Sequence, residues 1–218
     1  MEHDLLEYVS QRISREEIAQ NRRILEVAHE LSRSCCIHEK QLCESQQNAS
    51  YREIEQHVAE CYAKEHGVWT PYSTVFELGI PGPSGHENDT YVSNDTIYKV
   101  NNLLNSKTIV SLFCKMLCHN ILFYDTAYEF YGFTGFEGRS VMPIFTQKLI
   151  KDATPATTIE IDTYMSALGF NKMEEGVFSN HEMRVWDVLP RNVLRDHDGD
   201  LFVIDAEITL MGVVKLDF

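Results

Sequence analysis

Residues 185–208, VWDVLPRNVLRDHDGDLFVIDAEI, constrain this chain more than any other stretch. Asp187 is followed five residues later by Asn192, and Asn192 thirteen residues later by Asp205. Asp205 closes the apolar run Leu201–Ile204, which reads as a short strand. Before that run, Asp196–Asp200 (DHDGD) has the composition of a turn, so two short strands joined by a turn are expected here. An Asp-rich surface hairpin has the same composition, and the Asp-x4-Asn pattern alone does not separate the two readings.

The stretch resembles the catalytic core of the protein-kinase-like phosphotransferases. It is most similar to the kinase-like domain found in polyvalent proteins of bacterial mobile elements and phages. In that superfamily an Asp-x4-Asn loop leads through a hairpin to a metal-binding Asp. The resemblance implies that Asp187 orients and deprotonates an acceptor hydroxyl, and that Asn192 and Asp205 hold Mg²⁺. Magnesium takes hard oxygen ligands and keeps several waters, so one carboxylate, one amide and the phosphates of ATP suffice. It further implies an α+β, two-lobed fold, with ATP and Mg²⁺ as cofactors and a hydroxyl of a protein or small molecule as acceptor.

Upstream, the character is strand-like from Val68. Val75–Ile80 (VFELGI) is expected as a strand leading into a loop with Gly82 and Gly85. Asp89–Val92 and Thr96–Val100 flank a Ser93-Asn94-Asp95 turn and form a hairpin. This resembles the first three strands of a kinase N-lobe and puts Lys99 in the place of the phosphate-binding lysine; otherwise Lys99 is an exposed strand residue. Gly79, Gly82 and Gly85 do not follow the G-x-G-x-x-G order, and Pro81 and Pro83 remove two N–H donors. The loop is therefore expected to cover a nucleotide mainly by shape.

Lys107–Phe123 is expected as a helix, apolar nearly all round and buried on several sides. It takes the place of the kinase C-helix, yet contains no acidic residue to pair with Lys99. Glu87 is the candidate substitute; the alternative is a solvated loop charge. Tyr128–Gly132 and Arg139–Phe145 are expected as strands around a Gly-rich turn, and Met142–Leu149 resembles the strand and hinge between lobes. Backbone groups near Gln147–Leu149 would then meet the adenine edge. Thr157 and Glu160 cap a short helix to Leu168.

Several residues depart from the protein-kinase pattern. Val185 and Trp186 stand where many kinases carry His and Arg, so phosphorylation of an activation loop has no anchor. Leu189 replaces a phosphate-contacting Lys. Arg191 either steadies the transferring phosphoryl group or makes a structural ion pair. Ala206 and Glu207 follow Asp205, an ending more like small-molecule kinases, and Glu207 either joins the metal ligands or sits behind them. Thirteen residues follow Asp205, which fits a minimal kinase-like domain or a piece of a larger polyprotein.

Residues 1–66 are acidic and helical in pattern, with capping pairs Ser14/Glu17 and Ser50/Glu53 and a polar linker expected over 32–49. They brace the following lobe by default, or contact a partner, or mediate self-association. The division expected is 1–66 helical extension, 67–149 N-lobe and 150–218 minimal C-lobe. The net charge of −14 disfavours a nucleic-acid partner, which needs clustered Lys and Arg. No apolar run is long enough for a membrane span, and the N-terminus has no signal-peptide pattern, so a cytoplasmic location is expected. The six cysteines are then read as reduced thiols. Cys35-Cys36-x-His38 with Cys43 matches no common zinc knuckle, and Cys114 and Cys118 read as core.

Three further functions remain beside phosphoryl transfer. One is a nucleotide-binding pseudokinase serving as an interaction module. Another is transfer of AMP on the same fold. The third is a structural protein acting through residues 1–66.

Overall fold

The computed structural model describes residues 6–7, 9–10, 19–45 and 49–211. The Ser14/Glu17 capping pattern lies outside them. Helix α1 runs Ala19–Glu44 without a break, so the helix continues through Glu44 where a linker is expected from residue 32. No Gly or Pro interrupts the segment, and the apolar stripe Ile24, Val27, Ala28, Leu31 and Cys35 continues to Leu42, which packs against the core. The polar residues beyond Ser32 are the solvent face of a helix rather than a loop. Helix α2, Tyr51–Glu65, starts at the expected Ser50/Glu53 capping box.

Strands β1 (Trp69–Pro71), β2 (Ile80–Pro81), β3 (Asn88–Ser93), β4 (Thr96–Asn101), β5 (Glu129–Phe136) and β6 (Ser140–Lys148) form one curled sheet. Its spatial order is β1-β5-β6-β4-β3-β2, with only the β1–β5 pair parallel. The expected strand at Val75–Ile80 is instead a 3-10 helix, Tyr72–Leu78, followed by the two-residue β2. Three-residue spacing puts Val75 and Leu78 on one side of such a helix. There they pack on Val100, Ile144 and Tyr98 across the outer face of the sheet. The glycines of GFTGF lie within β5 rather than in a turn. A Cβ at Gly132 would stand 2.5 Å from the Val68 carbonyl oxygen, and at Gly135 1.9 Å from that of Ser140. They are there because neighbouring backbone approaches closely.

Helix α3, Ile109–Leu122, crosses the inner face of the sheet. Phe113 is fully buried there against Phe130, Phe133 and Phe145. Its N-terminus is held twice. Thr108 caps it, and the buried carboxylate of Glu55 from α2 accepts from the N–H groups of Ile109 (2.7 Å) and Val110 (2.9 Å). Negative charge at a helix N-terminus offsets the helix dipole and the unpaired donors together. Gln56 bonds both backbone groups of Val141 on β6. Helix α2 thus braces both α3 and the sheet.

Beyond β6 come β7 (Thr154–Pro155), α4 (Thr158–Ala167), β8 (Asn171–Glu174), β9 (Val177–Ser179), β10 (Met183–Trp186), β11 (Val193–Arg195), β12 (Leu201–Val203) and β13 (Glu207–Leu210). They form two small sheets, β13-β10-β9-β8 and β12-β11-β7. Thr157 and Glu160 cap α4 as expected. One hydrophobic cluster runs from Leu31 through Phe113 to Val185, Val203 and Ile208. Among the described residues no helix is long and apolar enough to cross a membrane.

His119 on α3 is fully buried, with Nε2 3.2 Å from the Thr126 carbonyl. Burial, aided by the charge of Lys99, depresses its pKa from 6.5 to about 3. The unfolded chain therefore takes up this proton first, so stability present above pH 6.5 is lost as pH falls toward 3. The expected slope is about 1 kcal/mol per pH unit below 6. His119→Gln should show a shallower loss in urea unfolding between pH 7 and pH 5; parallel losses would mean the imidazole is not held neutral.

Candidate active site

Two strand ends set the site. Trp186, the last residue of β10, pairs with Glu207, the first of β13. Asp187 therefore leaves the sheet opposite the point where the chain enters it just after Asp205. The β11–β12 hairpin pairs Val193 with Val203. One step further, the Ile204 N–H donates to the Asn192 carbonyl (2.9 Å), and Lys99 Nζ donates to the Ile204 carbonyl (2.9 Å). The backbone of Ile204 thus ties Asn192 to Lys99 immediately before Asp205.

Asp187 is half-buried, with φ of 60°, a conformation most side chains resist. Asn192 holds it there: Nδ2 donates to the Asp187 carbonyl (2.9 Å) and to its Oδ2 (2.8 Å). Arg191 donates to Oδ1. With Nδ2 committed to Asp187, the amide oxygen is the atom of Asn192 that faces other duties.

Lys99 is buried, and its Nζ also lies 3.1 Å from the Tyr128 hydroxyl and 4.9 Å from the centre of that ring. Burial lowers its pKa, against the opposing pull of Asp205 and Glu87. Tyr128 is fixed in turn by Asn120, which bonds its backbone N–H (2.7 Å) and carbonyl (2.8 Å), and Asn120 bonds Asn21 of α1.

Glu87 does not pair with Lys99. It meets Lys115 of α3 (3.3 Å), and the same ammonium lies 2.5 Å from Glu207. Burial works against the charge of Lys115, but Glu207, Asp205 and Glu87 together raise its pKa. The helix that lacks an acid supplies the cation instead. Its signal was present in the sequence, since Lys115 is the one Lys or Arg between Thr108 and Phe123. Tyr128 left no such signal, because an aromatic at a strand start reads as core.

The Gly82 N–H donates to the Thr90 carbonyl (2.9 Å) and that of Gly85 to the Asn88 carbonyl (3.0 Å), so both donors are engaged by strand β3. The Gln147 side chain is buried and donates to the Thr126 carbonyl (2.6 Å). The Leu149 N–H donates to the Asp95 carbonyl (2.8 Å).

A sequence model of the serine/threonine/tyrosine kinases found in polyvalent proteins matches residues 52–212, well over half of the chain. The chain belongs to this family. No curated protein matches it. The α+β architecture with its curled sheet is the kinase-like fold expected of such a member.

In this member of the polyvalent-protein kinase family, the donor set suits a hard divalent cation. Asn192 and Asp205 offer oxygens, and around Lys99 and Lys115 three carboxylates, Asp205, Glu87 and Glu207, face two ammonium groups. A bound cation would offset that excess of negative charge. A separate trio, Asp196, His197 and Asp198, brings ligand atoms within 4.8 Å on the exposed β11–β12 turn. Asp196 Oδ1 there accepts from the Asp198 and Asp200 N–H groups, which is ordinary turn bonding. Cys36 and Cys43 are exposed while Cys35 is buried. Cys114 and Cys118 are core, and burial pushes the Cys118 thiol up to about 12.

Proposed function

We propose that this kinase-like chain transfers the γ-phosphoryl group of ATP to a hydroxyl, with Mg²⁺. The observation that carries the reading is the backbone of Ile204, which holds Asn192 and Lys99 on either side of the approach to Asp205. Asn192 and Asp205 would hold the metal, and Mg²⁺ supplies neutralisation of charge on the transferring group. Lys99 would exchange the Ile204 carbonyl for phosphate oxygens, regaining the full charge that burial now opposes. Asp187 accepts the hydroxyl proton as the new O–P bond forms and the bond to the leaving ADP oxygen breaks. Arg191, already on Asp187, steadies either that carboxylate or the phosphoryl group. The loop with Gly82 and Gly85 covers the nucleotide by shape, since the N–H groups of both glycines are engaged. The adenine edge falls to backbone groups of residues 147–149 other than the Leu149 N–H.

A second reading is a nucleotide-binding pseudokinase. It is favoured by the engaged loop donors and by Lys99 bonded inward to Ile204 and Tyr128.

The test is a thermal-shift titration with ATP, with and without Mg²⁺, on the wild type and Asp205→Ala. Nucleotide at 100 times Kd is expected to stabilise the wild type by about 2.7 kcal/mol. The Mg²⁺-dependent part is expected to vanish in Asp205→Ala. An equal shift in both proteins removes Asp205 from the metal site, and no shift with any nucleotide overturns the proposal.

A further inference from the structure

Lys115 has no part in the phosphoryl-transfer reading, yet its ammonium joins three separate elements beside the site. It projects from α3 and bridges Glu87, in the loop before β3, to Glu207, the first residue of β13. All three side chains are largely shielded from water, with 9%, 10% and 24% of each exposed. Ion pairs so shielded are costly to break, because the surviving charge stays buried. One oxygen of Glu87 is buried without a hydrogen-bond partner among the described residues, so the loop is held to α3 through Lys115.

The register gives this bridge its consequence. Glu207 stands opposite Trp186, and Asp187 follows Trp186 directly. Asp205 lies two residues before Glu207. One ammonium therefore pins the place where the two aspartates leave the paired strands. Lys99, by contrast, is oriented by Tyr128 and the Ile204 carbonyl, with no carboxylate oxygen within 4.0 Å among the described contacts.

We infer that Lys115 is a positioning residue that holds Asp205, through Glu207, in the orientation a divalent cation requires. The polarity of the bridge is reversed: the helix gives the cation, and the loop and the strand give the carboxylates. This inference rests on the phosphotransferase reading of the site.

The experiment compares wild type, Lys115→Met, Lys115→Arg and Glu207→Gln. The readout is the Mg²⁺ concentration at half-maximal thermal shift, at saturating ATP. Lys115→Met is expected to raise that midpoint about tenfold or more, a loss of the size seen when supporting contacts around metal ligands are removed. Lys115→Arg is expected to restore most of it, since Arg can bridge both carboxylates. Glu207→Gln, which keeps the shape and removes the charge, is expected to follow Lys115→Met and covers the case in which that variant does not fold. A lower melting temperature with an unchanged Mg²⁺ midpoint in Glu207→Gln, and in Lys115→Met if it folds, would make the bridge purely structural and overturn the inference. A wild type with no Mg²⁺–ATP shift overturns the phosphotransferase reading itself, and the inference with it.

Discussion

Asp187→Asn is expected to lower phosphoryl transfer by about 100- to 10,000-fold, the range that a general base contributes, while nucleotide binding persists. The side chain keeps its size, but an amide cannot take the hydroxyl proton. It also cannot satisfy both neighbours. Arg191 and the Asn192 amide each donate to the carboxylate, one to each oxygen. An Asn there turns an NH₂ toward one of these donors. Transfer of labelled phosphate to a broad hydroxyl acceptor, measured beside Mg²⁺-dependent thermal stabilisation, separates the outcomes. Undiminished transfer removes Asp187 from its role. Stabilisation without transfer in the wild type as well favours the pseudokinase reading. An acceptor gaining the mass of AMP instead of phosphate would make the chain a nucleotidyl transferase.

Glu55→Ala is expected to cost about 3–5 kcal/mol in folding stability. Its two oxygens accept from two buried N–H groups at the start of α3, and the residue is fully shielded from water. Hydrogen bonds to a charged group contribute about 1.5–3 kcal/mol each, and a donor left buried keeps its desolvation cost. Urea unfolding measures the loss, with Ser50→Ala as a comparison expected to cost only about 1 kcal/mol. A loss for Glu55→Ala no larger than that of the exposed cap would mean that water or Thr108 takes over both donors. The effect should extend to the site, because α3 carries Phe113, Lys115 and Asn120.

Much of the fold was legible because its signals are local. The capping boxes at Ser50/Glu53 and Thr157/Glu160 start their helices where expected. The Ser93-Asn94-Asp95 turn joins β3 and β4, with Asn94 in the left-handed region. The misread segments each have their own cause. In residues 32–44 the polar face of a long helix looked like a loop, since one buried or half-buried position per turn is a thin signal. In Tyr72–Leu78, β-type residues form a 3-10 helix, because tertiary packing on Val100 and Ile144 outweighs propensity. In β5, glycines that suggest a turn instead admit the backbone of Val68 and Ser140.

The sequence by itself determined the helix starts, the central hairpin, the apolar identity of α3 and the Asp187, Asn192, Asp205 spacing that points to the kinase-like family. These depend on neighbours within a turn or a strand. Only the tertiary structure decided which charges meet. Lys115 reaches Glu207 across 92 positions, Glu55 reaches Val110 across 55, and Lys99 reaches Ile204 across 105. Ionic and polar contacts of that range carry no periodicity. They are selected when burial brings the groups together and leaves each a costly charge or donor to satisfy.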